Sequence, residues 1–147
     1  MSKIINQISA YLDSPDYLDD TDMEEMNNYL DSSEPLSEDD EVLKELKRFL
    51  KGFKETRREV TSRMNNLYRS LKSLNNPWTV VKISVSDNIT DVIVRGTKNM
   101  AIKAINEEIH EKKIALDDID YYISFIESSI SKITTRNKEE FKMGLIK

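Results

Sequence analysis

Apolar residues recur every seven positions along two long stretches of the chain. Over residues 39–74 one series reads Leu43, Leu50, Arg57, Met64 and Leu71, and its companion reads Leu46, Phe53, Val60, Leu67 and Leu74. A register that holds over five heptads specifies a coiled coil rather than an ordinary surface helix. Asn75-Asn76-Pro77 then stops the helix, because proline disfavours helical geometry in the residue before it. Over residues 98–135 the series are Ile102, Ile109, Leu116, Ile123, Ile130 and Ile105, Lys112, Ile119, Ile126, Ile133. Each stretch of about 36–38 residues makes a helix roughly 54–57 Å long. Matching lengths within one chain predict that the two pair with each other, antiparallel.

The segment between them has a different period. Thr79–Val85 and Ile89–Arg95 are rich in β-branched residues, and Ser86-Asp87-Asn88 supplies a turn. This predicts a β-hairpin at the closed end of the coiled coil. Gly96 permits the reversal into the second helix and Thr97 stands as its N-cap. A lone hairpin is marginal in water and its edges carry unpaired backbone groups. Val81, Ile83, Val85, Ile89, Val92, Ile93 and Val94 are more apolar surface than it can hide, so the hairpin is expected to join strands from other subunits. Arg57 and Lys112 interrupt the seams. If Leu74 lies opposite the start of the second helix, paired positions sum to about 175. Arg57 then falls near Asp117 and Asp118, while Lys112 falls near Arg63 and Met64 and is expected to snorkel.

Three glycines and three prolines in 147 residues agree with long helices. Charge divides the chain. Residues 1–41 hold one base and thirteen acids, a net −12, and residues 42–147 hold 21 bases and 14 acids, a net +7. Such a split predicts a largely disordered acidic arm, 1–41, attached to a helix–hairpin–helix body, 42–147. Within the arm, Ile4, Ile5, Ile8 and Leu12 suit a short amphipathic helix, and Thr21 with Glu24 reads as a capping box ahead of Met23, Met26, Tyr29 and Leu30. Each piece is too short to be stable alone. Ser37 precedes three acids, as in an acidophilic kinase site, but better suits the N-cap of the first long helix. The acidic run 16–22 has neither the glycine nor the ligand spacing of a calcium loop.

Chemistry is sparse. The absence of cysteine removes disulfides, zinc–thiolate sites and thiol nucleophiles, and one histidine, His110, rules out a histidine cluster. No phosphate loop, dinucleotide fingerprint or nucleophile elbow is present, so no enzyme activity and no cofactor is expected. The N-terminus lacks the apolar core of a signal peptide and no stretch suits a membrane span, which points to a cytoplasmic protein without a membrane partner. Without a secretory route the sequon at Asn88 carries no weight. Trp78 beside Pro77 reads as a packing anchor. Lys44, Lys47, Arg48, Lys51, Lys54, Arg57, Arg58, Arg63, Arg69 and Lys72 crowd the first long helix and could track phosphates, with the acidic arm as a mask. Acids interleave on the second helix, and nucleic acid ranks below protein as a partner.

A mostly α chain with a small β element, built as a long antiparallel coiled coil closed by a β-hairpin, resembles a prefoldin subunit. The stretch 91–97 running into Met100–Lys112 is similar to the α-type strand that ends in a glycine turn and enters the last helix. Leu116-Asp117-Asp118-Ile119, Phe125 and Thr134-Thr135 are loosely similar to the final helix of prefoldin subunit 3, which also carries an N-terminal extension. The likeness covers about residues 40–140 and departs in showing one hairpin where α-type members usually have two. It implies an ATP-independent co-chaperone in a hetero-hexamer of prefoldin-like subunits. Assembly would use Val81, Ile83, Val85, Ile89, Val92 and Val94. Unfolded clients would be held at the open tip by Leu43, Leu46, Leu50, Ile126, Ile130, Ile133, Phe141 and Met143 and passed to a chaperonin. A non-catalytic coiled-coil scaffold or inhibitor subunit of another complex would show the same heptads.

Overall fold

The structure, a computed structural model, describes the backbone of residues 2–74, 82–84, 93–95 and 98–146, and side chains of 2–74 and 99–138. Four α-helices account for most of it: α1 (Lys3–Asp13), α2 (Asp20–Leu30), α3 (Asp39–Ser73) and α4 (Lys98–Ile146), with a 3-10 turn at Pro15–Tyr17. The two heptad stretches are the two long helices. The second continues well past residue 135, to 49 residues in all.

The expectation of a β-hairpin closing a coiled coil does not hold. Apart from the helices, the described residues give a ladder of three residues a side, β1 (Lys82–Ser84) with β2 (Ile93–Arg95), in the register Lys82↔Arg95, Ile83↔Val94 and Ser84↔Ile93. Three cross-strand pairs add too little to define a β layer. β-Branched runs report fit to a pleated, half-buried surface rather than an intrinsic strand. The fold class is therefore helical. Val81, Val85, Ile89 and Val92, the 86–88 turn, Pro77, Trp78, Gly96 and Thr97 lie outside the described residues, as do the side chains of Ile83 and Val94.

The chain forms two compact units, Met1–Phe53 with Tyr122–Lys147, and Lys54–Tyr121. In the second unit, Leu67, Leu74, Ala101, Ile105 and Ile109 form a buried cluster, with Met64, Leu71 and Ile102 against it. Pairing late α3 with early α4 makes the two helices antiparallel here. Arg57 donates through Nε to Asp120 Oδ1 at 2.6 Å, two to three residues beyond the acids that the register suggests. Both partners are about half exposed, so solvent screening leaves this link weak. Lys112 does not snorkel. It is buried, and its Nζ donates to Glu108 Oε1 at 2.9 Å, one turn back on α4.

In the first unit the acidic segment is folded rather than disordered. Ser2 caps α1 by accepting from the Ile4 N–H at 3.2 Å. Asp19, not Thr21, caps α2, accepting from the Asp22 N–H at 2.8 Å. Two eleven-residue helices are too short to persist alone. Tertiary packing holds them: Ile5, Ile8, Tyr11, Leu12, Met26, Tyr29 and Leu30 share one buried cluster with Val42, Leu46, Ile126 and Ile133. Arm and body are thus not separate domains at residue 41. Tyr11 stacks edge-on to Tyr122 at 6.2 Å and tilted against Phe125 at 4.8 Å, and Tyr122 lies 5.7 Å from Phe53.

Candidate functional site

The candidate site lies in the first unit, where the start of α3 meets the later part of α4. A tip that holds non-native chains must present apolar side chains to solvent. Of the residues named for that task, Leu46, Ile126 and Ile133 are fully buried. Leu43, Leu50 and Ile130 are partly buried and packed against the same cluster. The side chains of Phe141 and Met143 lie outside the described residues. The cover is the arm. Ile8 and Met26, at 1% and 0% exposure, occupy the apolar surface a client would need.

A polar network fixes this cover. Asp39, the first residue of α3, and Arg136 of α4 are both buried, with side chains 2% and 3% exposed. Arg136 Nε donates to Asp39 Oδ2 at 3.0 Å, and its Nη2 donates to Oδ1, which makes the pair bidentate. The remaining Asp39 capacity is filled. Tyr29 Oη donates to Oδ1 at 2.5 Å, and the Leu36 N–H and Asn137 Nδ2 donate to Oδ2 at 3.0 and 2.9 Å. Arg136 Nη1 in turn donates to the carbonyl of Tyr29 at 2.8 Å, and the guanidinium lies 4.9 Å from the Tyr29 ring centroid. Its contacts with the Leu30 and Ser32 carbonyls, both at 3.4 Å, close the C-terminal end of α2. One arginine thus joins α2, α3 and α4. Ser37, expected as the N-cap, is exposed, and α3 begins two residues later with the Glu38 carbonyl accepting from the Val42 N–H at 2.9 Å.

Network chemistry sets a pH window. Burial alone would raise the Asp39 carboxyl. The hydrogen bonds from Arg136, Tyr29, Leu36 and Asn137 outweigh it and hold the group well below the usual carboxylate range. Burial, then the bond to Asp39, pushes the Tyr29 hydroxyl above its usual value. A depressed acid contributes stability above its unfolded pKa, about 3.9, that is lost as pH falls. A raised phenol contributes stability that is lost as pH rises past about 10. Urea midpoints measured against pH should therefore fall more steeply above pH about 10 for the intact chain than for Tyr29→Phe. Equal alkaline slopes would remove Tyr29 from the network.

In the sequence Asp39 is one more acid of an acidic run, and Arg136 belongs to no motif. A signal existed: a register summing to about 175 sets position 39 opposite position 136. The masking idea fares differently. Within this unit the arm's acids pair with Lys3, through Glu25, with Lys132, through Asp31, and with Arg136. Among the described residues none pairs with Lys44, Lys47, Arg48 or Lys51, and Arg48 is held by Glu45 of its own helix. Also among the described residues, no group of acids and histidine could hold a metal ion, and no helix is long and apolar enough to cross a membrane. No family model, no curated protein and no solved structure matches the chain. The likeness to prefoldin subunits therefore stands on sequence pattern alone.

Proposed function

We propose that this chain is a non-catalytic helical scaffold subunit, working through the outer faces of its long helices rather than by holding unfolded protein at a tip. One observation carries the reading. The seam residues that a holding tip would present, Leu46, Ile126 and Ile133, are at 0% exposure beneath α1 and α2. Covering them consumes the apolar surface in an intramolecular core and leaves polar, charged helix faces for partners. The paired heptad helices provide a rigid support for such faces.

The reading is tested with a heat-denatured model protein. The intact chain at equal molar ratio should leave the rate of light-scattering aggregation unchanged. Suppression of aggregation at that ratio would overturn the scaffold reading and restore the co-chaperone.

A further inference from the structure

The outward face of α3 in the second unit carries a pattern that the coiled coil does not need. Lys54, Arg58, Thr61, Ser62, Asn65, Asn66 and Arg69 line one shallow groove together with Arg57, which is already paired to Asp120, and Lys72 follows one turn on. The bases at 54, 58, 69 and 72 are all exposed. Among the described residues none of the four forms an ion pair, and Arg69 Nη1 only touches the Asn66 amide oxygen at 3.4 Å. At 100° per residue Glu59 falls to one side of the row, and Glu55 is the one acid within it, between Ser62 and Asn66. The result is a basic pair, a neutral hydroxyl-and-amide centre, and a second basic pair. The centres of the pairs are about 22 Å apart at 1.5 Å per residue.

We propose that this face of α3 lies in the major groove of a DNA duplex, with its axis along the groove. The groove admits an α-helix and is about 12 Å wide. The groove curves away from a straight helix, so the long basic side chains at both ends of the row meet the phosphates of its walls. Phosphate contacts of this kind position a protein without reading sequence. The centre then faces the base edges, where asparagine is suited to the paired acceptor and donor of adenine, and serine or threonine to any base. A narrow, deep RNA major groove would exclude the helix, so the duplex is DNA. A polyacidic protein would also meet the basic ends, but it gives the amide centre nothing to read. This assignment gives the scaffold reading its partner and rests on that reading.

The test uses the full chain and a fluorescently labelled random-sequence DNA duplex, followed by anisotropy over a range of sodium chloride. Expected is binding at low salt whose log–log slope reaches up to about −3.6 for four neutralised phosphates. Arg58→Glu with Arg69→Glu should weaken it about tenfold or more and flatten the slope. Lys103→Glu with Lys113→Glu, an equal charge change on α4, should leave it within about twofold. Circular dichroism checks that both variants keep their helices. Asn65→Ala with Asn66→Ala should narrow the affinity range across duplexes of different sequence and leave the salt slope alone. No binding at low salt, equal loss in both charge variants, or equal competition by polyglutamate would overturn the proposal. If aggregation of a denatured protein is still unaffected in that case, the scaffold reading stands and only its partner falls.

Discussion

Arg136→Met is expected to cost about 3–5 kcal/mol in urea unfolding, the penalty for leaving a buried charge without its partner. The size follows from the network rather than from the ion pair as such. A buried pair often breaks even against an apolar replacement, because desolvation offsets attraction. Removing one member strands the other. Asp39 would keep its Tyr29 and Asn137 donors but lose both guanidinium bonds, and the carbonyls that end α2 would lose their donor. Arg136→Lys should rescue little, since an ammonium cannot reproduce the planar fork. Asp39→Asn with Arg136→Met should cost less than the two single changes added together, because the sites share one network. Against a typical domain stability of about 5–15 kcal/mol, the single change is large enough to unfold much of the population in mild urea. A loss below about 1 kcal/mol would show that the pair is not buried in solution.

The second large effect is expected at Met26→Ala, on α2. Met26 is fully buried among residues of α1, α3 and α4, so truncation should cost about 2–5 kcal/mol. Leu46→Ala, on α3 and equally buried, should cost a similar amount and shift the same unfolding transition. Met100→Ala, at 57% exposure, should stay within about 0.5 kcal/mol. The informative comparison is between Met26 and Leu46. If the arm were a loose appendage, Met26→Ala would barely register while Leu46→Ala still destabilised the helical pair.

The long helices were legible because each carries a repeated register, which many residues specify together. Leu43 through Leu74 and Ile102 through Ile133 leave few alternatives to a paired helix. The folded arm was harder to read. Its helices are about three turns long, α2 is heavily acidic, and their stability comes from contacts distant in sequence. The trace of those contacts lies on the long helices, where Val42, Phe49, Tyr122 and Phe125 stand outside the seam series. Val42 is buried and the other three pack against the core of the first unit. An apolar face wider than a two-residue seam marks a helix that must be covered by more than one neighbour. The β-branched run misled about fold class for the opposite reason: its composition is a local signal, and the described residues are almost all helical. The polar network was hidden because Asp39 sits in an acidic run and one arginine among many carries no label.

The central claim is that α1 and α2 form one cooperative core with the paired long helices and so close the tip. Amide hydrogen exchange on the intact chain tests it most directly. Residues 5–12 and 26–30 should be protected to the same degree as residues 42–50 of α3, because they open only when that core opens. Exchange of α1 and α2 at the rate of an unstructured peptide, with α3 still protected, would contradict the account and return the apolar tip to solvent.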